Sequence, residues 1–233
     1  MAVLAAKDVR FVYQTNFQRT QALRGVSCMF SPGKFYAIVG PSGCGKTTLL
    51  SLLAGLATPT EGEILFDGQP LGQIGLEKHR QENVSVIYQN FNLFPLLTVL
   101  ENVMFPMNVK RKNKTASRER ARELLQSVGL TTEQEKKFPA MLSGGEQQRV
   151  AIARALASQA KVILADEPTG NLDTENGQAV LQILKSLVTQ EGYSLIMVTH
   201  DLSIASQADV MVTMRDGAIV NIQEQSVQKE GAL

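Results

Sequence analysis

The segment FYAIVGPSGCGKTTLLSLLAGL, residues 35–56, decides the fold. Its first six residues form a continuous apolar run that ends in glycine, which predicts a strand buried on both faces. Residues 47–56 follow helical spacing. Between them, Gly40 to Thr47 reads GPSGCGKT and fits the phosphate-loop pattern GxxxxGK[ST], the Walker A motif. The order strand, glycine-rich loop, helix therefore predicts a phosphate-binding turn in an α/β domain.

This loop has residues suited to holding a triphosphate. Backbone amides must wrap around the phosphate oxygens, and the glycines give the loop the freedom to do so. The helix that follows points its N-terminal amides at the same oxygens. We expect Lys46 to reach the β and γ phosphates and the Thr47 hydroxyl to bind Mg²⁺. The residues predicted to bind nucleotide are Gly40, Pro41, Ser42, Gly43, Cys44, Gly45, Lys46, Thr47 and Thr48.

A second motif, KVILADEP, places an apolar strand directly before Asp166 and Glu167. Adjacent acids alone are usual in a solvated turn, but a phosphate loop in the same chain makes them a Walker B pair. We expect Asp166 to hold the hydration shell of Mg²⁺. Glu167 is expected to polarise the water that attacks the γ-phosphorus in line.

The remaining apolar runs predict the rest of the fold. Residues 62–66, 84–88, 161–165, 194–199 and 209–214 resemble strands, and several are separated by helical patterns, as in a mostly parallel sheet. The fold class predicted is an α/β core of the P-loop NTPase (RecA-like) type with an antiparallel β layer and an inserted α-helical subdomain. The antiparallel layer is expected from residues 3–13 and 26–30, hairpin turns from Asp67-Gly68 and Asp216-Gly217, and helices from residues 116–129 and 146–159.

We predict one domain over residues 1–233. Its core spans about 1–90 and 158–222, its helical subdomain about 91–157, and a polar tail 223–233.

Composition excludes several classes of protein. Lys plus Arg number 23 and Asp plus Glu 22, so the net charge of +1 does not call for a nucleic-acid partner. Cys28 and Cys44 are too few for a secreted disulfide scaffold, which favours a reducing compartment. No run of about 18 apolar residues occurs, so any membrane role is expected to come through a partner. The Cys44 thiol is either a small filler or a target for bulky thiol reagents.

The most diagnostic segment is LSGGEQQRVAIARAL, Leu142 to Leu156. A serine and two glycines at a helix start form a second anion-binding end. Ser143 and Glu146 also fit a capping box, but capping explains neither glycine. With this segment the chain resembles the ATP-binding subunits of ATP-binding cassette (ABC) transporters, and Leu142 to Glu146 matches their signature.

The resemblance implies a dimer in which two chains meet head to tail around two nucleotides. Ser143, Gly144, Gly145 and Glu146 would face the γ-phosphate held by the other subunit, so the expected partners are a second copy and a transmembrane permease. The catalytic residues implied are Lys46, Gln89, Glu167 and His200, and the Mg²⁺ ligands are Thr47, Gln89 and Asp166. Tyr13 would stack on adenine, and Asn171-Leu172-Asp173 would cross to the other subunit. The cofactors expected are ATP and Mg²⁺.

Residues 88–103 (YQNFNLFPLLTVLENV) and 168–173 (PTGNLD) look most like the ATPases of the lipoprotein-release, macrolide-export and antimicrobial-peptide-resistance group. The expected function is to power an exporter or mechanotransmission complex from the cytoplasmic face of the membrane. The alternatives are the ATPase of an importer, a soluble cassette ATPase, and a small-molecule kinase. The kinase would have no use for the signature.

Two surfaces and one histidine stay open. The apolar residues Phe91, Leu93, Phe94, Leu96, Leu97, Val103 and Phe105 form either a docking site for a membrane subunit or the core of the helical subdomain. Basic residues crowd positions 109–120, as a solvated loop or as a site for anionic lipid headgroups. His79 is expected on a solvated helix face.

Overall fold

The computed structural model describes residues 3–14 and 19–225. The strands of these residues are β1 (Leu4–Gln14), β2 (Arg19–Phe30), β3 (Phe35–Val39), β4 (Glu61–Phe66), β5 (Gln69–Pro70), β6 (Val84–Ile87), β7 (Val162–Asp166), β8 (Ser194–Val198), β9 (Val210–Arg215) and β10 (Ala218–Glu224). The helices are α1 (Lys46–Leu53), α2 (Leu71–Ile74), α3 (Leu76–Lys78), α4 (Val99–Val109), α5 (Lys114–Ser127), α6 (Gly144–Ala157), α7 (Thr174–Glu191) and α8 (Leu202–Ala205). A π-turn spans His79–Asn83 and a 3₁₀ turn Pro139–Met141.

A six-stranded sheet in the order β10-β9-β3-β8-β7-β6 forms the centre of the molecule. The β3–β8, β3–β9, β7–β8 and β6–β7 pairs are parallel, and only the edge strand β10 is antiparallel. All five residues of β3 are buried, as the apolar run predicted. Because side chains alternate along a strand, Phe35, Ala37 and Val39 join one hydrophobic core, whereas Tyr36 and Ile38 join the other.

The antiparallel layer packs over the second of these cores. Its order is β2-β1-β4-β5, and α1 lies between it and the central sheet, contributing Leu49, Leu52 and Leu53. Asp67-Gly68 and Asp216-Gly217 make the hairpin turns predicted for them, with positive φ at all four residues. The α/β fold with its antiparallel layer and helical insertion is confirmed.

The helical insertion follows β6 and precedes β7, and its three helices begin at side-chain caps. Thr98 and Ser143 form capping boxes with Glu101 and Glu146, and Asn113 accepts hydrogen bonds from the first turn of α5. The two helices predicted here begin two residues earlier than expected, at Lys114 and Gly144. Among the described residues, no helix is long and apolar enough to cross a bilayer.

Two expectations need correction. Strand β10 runs to Glu224, so residues 223 and 224, expected in the polar tail, belong to the sheet; residues 226–233 lie outside the described residues. His79 is fully buried rather than solvated. Its Nε2 lies 3.0 Å from the carbonyl oxygen of Leu53 at the end of α1, and its ring stacks edge-on against Phe66. Burial lowers the pKa of His79, which keeps the ring neutral.

Candidate active site

The candidate site lies at the carboxyl edge of the central sheet. Gly40 follows β3, Asp166 ends β7, His200 lies two residues beyond β8, and Gln89 lies two residues beyond β6. Since these four strands are parallel, their carboxyl ends meet at one edge, which is where α/β proteins bind ligands. The topology thus brings together side chains that are up to 160 positions apart, counted from Gly40 to His200.

The phosphate loop is held in shape from within. Lys46 is 7% exposed, and its ammonium donates hydrogen bonds to the carbonyl oxygens of Gly40 and Pro41, both at 2.9 Å. Gly45 caps α1 with φ +101°, and a Cβ there would lie 2.6 Å from the carbonyl oxygen of Ala22. Only glycine meets both conditions. The N-terminal end of α1 therefore faces the loop with a fixed positive charge beside it.

Cys44 differs from the rest of the loop. Its side chain is 4% exposed and packs into the core beneath the sheet, while its amide donates to the carbonyl oxygen of Pro41. The thiol does not line the cavity described next. This placement favours the small-filler interpretation over reaction with a bulky reagent.

A cavity of about 550 Å³ opens over the loop. Its wall includes Tyr13, which is 52% exposed and whose hydroxyl lies 3.2 Å from the Thr48 hydroxyl. An exposed ring bonded to the first turn of α1 is well placed to stack on a base. The lining residues are Tyr13, Thr20, Gln21, Ala22, Ser42, Gly43, Gly45, Lys46, Thr47, Thr48, Glu167 and His200. Thr20, Gln21 and Ala22 come from β2 and carry no sequence signal that could have identified them.

Thr47 and Asp166 bring together two side-chain oxygens of the kind that suits a magnesium ion. The Thr47 hydroxyl donates to Asp166 Oδ1 at 3.1 Å. Burial raises the pKa of Asp166, the hydrogen bond from Thr47 opposes that rise, and the neighbouring charge of Glu167 adds to it. Hard oxygen donors of this kind suit Mg²⁺, which keeps several waters and takes other ligands from substrate phosphates. Among the described residues no three His, Cys, Asp or Glu side chains cluster as a metal site.

Glu167 and His200 form a pair at the cavity wall. His200 Nδ1 lies 3.0 Å from Glu167 Oε2. The backbone of Glu167 is left-handed, with φ +45°, and its amide donates to the carbonyl oxygen of Val198 at 3.0 Å. A non-glycine residue adopts this conformation at some cost in free energy, and such residues are concentrated at functional sites. The conformation directs the Glu167 carboxylate into the cavity beside the imidazole.

Gln89 reaches the same region from the side. Its amide nitrogen donates to Asn171 Oδ1 at 3.3 Å, and Asn171 Nδ2 donates back to the carbonyl oxygen of Gln89 at 3.1 Å. Gly170 lies between Gln89 and Glu167, because a Cβ on it would be 2.8 Å from Gln89 Nε2 and 3.3 Å from Glu167 Oε2. Gln89 is thus next to the Walker B pair without lining the cavity.

The signature residues lie outside this cavity. Ser143 is exposed and accepts a hydrogen bond from the amide of Glu146, whose carboxylate accepts from the Ser143 amide at 2.8 Å. Gly145 packs against the Asn176 side chain so closely that a Cβ would collide with it. The capping box is therefore present in the structure. It does not account for the glycines, which are explained by packing: Gly145 lies against Asn176, and Gly144 lies against Leu172 and Phe91. In one chain this helix start is a surface feature.

A separate apolar groove of about 330 Å³ shares no lining residue with this cavity. Phe94 and Phe105 stack in it with ring centroids 4.4 Å apart, and Tyr88, directly before Gln89, lines it as well. Of the seven apolar residues with two interpretations, Val103 is fully buried in the core, Leu93 packs against the core, and Leu96 is 88% exposed. The set thus divides between core and surface.

Two residues that shape this groove were missed by the sequence reasoning. Asn102 is fully buried; its Oδ1 accepts from the Phe94 amide, and its Nδ2 donates to the carbonyl oxygens of Phe94, Leu97 and Thr98. Arg154 donates to the carbonyl oxygens of Phe91 and Asn92, and its guanidinium lies 5.7 Å from the Phe94 ring centroid. An asparagine or arginine within a helical pattern carries no signal of such a role.

Comparison with known proteins agrees with this geometry. The family model described as ABC transporter matches residues 23–170, more than half of the chain. The ABC transporter ATP-binding protein MJ1508 of Methanocaldococcus jannaschii is 44% identical over 94% of this chain and 99% of its own length. MJ0796, a bacterial ABC transporter cassette solved as a dimer, superimposes with a TM-score of 0.88 at 37% identity, over 95% of this chain and 98% of the other. It has also been solved as a post-hydrolysis dimer bound to ADP and Pi.

A structure of lower sequence identity superimposes nearly as well. The cbiO1 protein of Clostridium perfringens, part of the ABC transporter complex cbiONQ, superimposes with a TM-score of 0.85 at 28% identity. It covers 96% of this chain, and 88% of its own chain is matched.

The fold and the site define a P-loop ATPase with the signature of the cassette type. The chain belongs to the ABC transporter family and is an ATP-binding cassette ATPase.

Proposed function

We propose that this chain is the ATP-hydrolysing subunit of a membrane transporter and that it works as a pair of identical copies. The observation that carries the proposal is the meeting of Lys46, Thr47, Asp166, Glu167 and His200 around one cavity beside a phosphate loop. We also propose the domain limits given above. In this proposal the helical subdomain links the core to the membrane partner and transmits movement from one to the other.

The residues have separate tasks in hydrolysis. Lys46 and the amides at the N-terminal end of α1 neutralise the charge that develops on the γ-phosphate. Thr47, Asp166 and Gln89 would hold Mg²⁺, which when bound would supply positive charge to the phosphate oxygens. Glu167 accepts the proton of the attacking water, and His200 orients the Glu167 carboxylate and the γ-phosphate. Tyr13 stacks on the adenine ring, which explains its exposed position.

The second copy supplies what the cavity lacks. Ser143 and the amides at the N-terminal end of α6 form an anion-binding end, but they lie on the surface of their own chain. We propose that in the dimer these residues close over the γ-phosphate bound to the partner's phosphate loop, with Asn171-Leu172-Asp173 at the crossing. The dimer of MJ0796, to which this chain is 37% identical, supports this arrangement.

The membrane partner docks in the apolar groove. Phe94 and Phe105 are 38% and 39% exposed, and the groove begins at Tyr88, one residue from Gln89. An amphipathic helix of a permease would bury these two rings. It would also contact Tyr88, so a movement of the helix could shift the backbone at Gln89. We therefore place the chain at the cytoplasmic face of the membrane.

The sequences of residues 88–103 and 168–173 support an exporter or mechanotransmission complex of the lipoprotein-release and macrolide-export group. The likeness to cbiO1 keeps an importer as the second candidate. The reading frames next to this one decide between them. A four-helix permease with a large extracytoplasmic domain favours export, whereas a solute-binding protein favours import.

Turnover of Mg-ATP tests the assignment of the base. Glu167→Gln is expected to keep ATP binding and to lower the hydrolysis rate by about 10²–10⁴-fold, since the attacking water then has no proton acceptor. Glu175→Gln, which removes an exposed acid from the first turn of α7, is the matched control and should hydrolyse at the wild-type rate. Near-normal turnover of Glu167→Gln would refute the role given to Glu167.

A further inference from the structure

A cluster of positive charge lies at the corner between α4 and α5. We call Arg111, Lys112, Lys114 and Arg118 the basic corner; all four are exposed. From residue 102 to residue 118 the chain has five basic residues, Lys110 included, and no acidic one. The positive charge is therefore local, with Glu101 and Glu119 at its two ends, although the whole chain carries a net charge of only +1.

The corner is a built structure. Arg111 adopts the left-handed conformation with φ +53°, and its amide donates to the carbonyl oxygen of Asn108 at 2.9 Å. The Lys112 amide donates to Met107, and the Lys112 ammonium reaches Gln159 Oε1 at 2.7 Å. Asn113 then caps α5. These bonds fix the backbone that carries the charges.

No carboxylate forms an ion pair with the corner within the described part of the chain, although Glu101 lies close enough for the charges of Arg118 and Lys114 to lower its pKa. Further along α5, Arg120 pairs with Glu123 at 2.8 Å and Arg122 with the buried Glu135 at 3.0 Å. The four residues of the corner form no such ion pair among the described residues. The nearby Glu101 is held by the Thr98 amide and hydroxyl, which lower its pKa more than the charges of Arg118 and Lys114 do.

Helix stability explains only part of this arrangement. Arg111 and Lys112 follow the C-terminal end of α4, where positive charge is favourable. Lys114 is the first residue of α5, whose first turn has no acid, and positive charge there is unfavourable. Helix stability therefore does not explain the cation at Lys114.

The basic corner continues from the apolar groove. Val109, which is 51% exposed, and Lys110 line the end of the groove, and Arg111 follows them directly. We propose that the basic corner binds the anionic lipid headgroups of the membrane beside the docked permease. The inference rests on the proposed function, because the corner would meet the bilayer only with a membrane subunit seated in the groove. Lysine and arginine near an anionic bilayer are attracted to its negative surface potential.

Vesicle binding by the full chain tests this inference. The probes are vesicles of equimolar phosphatidylglycerol and phosphatidylcholine, compared with vesicles of phosphatidylcholine alone. The wild-type chain should sediment with the anionic vesicles only. Replacing Arg111, Lys112 and Lys114 by Gln should lower the partition coefficient by about a hundredfold, at roughly fivefold per charge.

A charge-matched variant is the control. Lys7→Gln, Arg24→Gln and Lys136→Gln together remove the same charge from exposed positions on other elements and should leave vesicle binding unchanged. Binding should also weaken with salt, because the Debye length falls from about 10 Å at 0.1 M to about 3 Å at 1 M. Circular dichroism and ATP hydrolysis of both triple variants verify that they fold.

Three results would overturn the proposal. They are equal binding to neutral vesicles, binding that salt does not weaken, and equal losses in the two triple variants. Each can occur while ATP hydrolysis and dimer formation are normal, in which case only the lipid site fails. If the chain instead binds anionic vesicles as expected but does not hydrolyse ATP, the proposed function fails and the lipid site stands.

Discussion

The phosphate loop and the start of α6 are both helix N-termini suited to anions, yet the chain builds them differently. At the loop, Gly45 is left-handed, Lys46 is buried, and a cavity of about 550 Å³ opens in front. At the start of α6, Ser143 has an ordinary extended cap conformation with φ −63°, and it lies exposed on the surface. One end is enclosed within its own chain and the other faces outward.

This difference shows how the catalytic groups are divided. A single chain contains Lys46, the Thr47–Asp166 pair and the Glu167–His200 pair, all at one edge of the sheet. It also contains a second anion-binding end that serves nothing in its own cavity. The proposed dimer gives that end a ligand, since the signature of each copy would face the triphosphate of the other.

The largest effect is expected when the two regions are damaged in different copies. Lys46→Ala removes the charge at the phosphates, and Ser143→Arg blocks the signature, so each variant alone should have almost no turnover. In an equal mixture, half of the dimers would contain one intact site, and turnover should recover to about a quarter of the wild-type rate. The measurement is ATP hydrolysis by the mixed proteins.

The control for this mixture combines two lesions on the same side of the comparison. Lys46→Ala and Asp166→Asn both damage the cavity, so every site in their mixed dimers contains one of them and no recovery is expected. If that mixture recovers as well, or if the first mixture does not, the two regions do not act across a dimer.

A smaller effect tests whether the groove side is organised separately from the phosphate loop. Asn102→Ala removes a fully buried side chain that accepts from the Phe94 amide and donates to the carbonyl oxygens of Phe94, Leu97 and Thr98, and we expect it to lower the free energy of unfolding by about 1–3 kcal/mol. Urea unfolding measures this, with Asn108→Ala, an exposed change on the same helix, as control. ATP affinity should not change. Loss of nucleotide binding would show that the two regions are not separate.

The smallest effect concerns His79, which ties the end of α1 to the segment that enters β6. Because burial lowers the pKa of His79, the histidine is protonated more readily in the unfolded chain than in the folded chain as the pH falls. The contribution of the neutral ring is therefore present above its ordinary pKa of about 6.5 and is lost as the pH falls below it.

We expect His79→Gln to be less stable than wild type above pH ~6.5 and this difference to shrink as the pH falls, because only the wild type carries this dependence. Thermal unfolding across that range measures it. Asn108→Ala, at an exposed position with no titratable side chain, should keep the wild-type slope. An unchanged difference between wild type and His79→Gln at all pH values would show that the buried ring does not titrate as proposed.

The sequence predicts the parts of this molecule that depend on local pattern. The β3 run, the hairpin turns at Asp67 and Asp216, and the cap at Ser143 follow from apolar periodicity and side-chain chemistry. The sequence does not predict the positions of side chains that depend on tertiary packing. The sequence predicts a solvated helix residue at His79, but in the fold Leu53 and Phe66 lie against its ring. Cys44 belongs to the phosphate loop in sequence, but its thiol packs in the hydrophobic core.

The candidate site shows the same limit. Motif order identifies Lys46, Asp166, Glu167 and His200, because each follows a buried strand. Thr20 and Gln21 line the cavity only because β2 folds over α1. Asn102 shapes the groove only because the loop that contains Phe94 folds back onto α4 and bonds to the Asn102 side chain. These contacts join residues whose neighbours in sequence give no hint of the partner.

The mass of Glu167→Gln in the presence of Mg-ATP tests the central claim most directly. With hydrolysis disabled, the nucleotides should stay between two copies, and light scattering should report twice the mass of the 25.4 kDa chain. Without ATP the same protein should report the mass of one chain. A single-chain mass at saturating ATP, even with the membrane partner supplied, would contradict the shared site.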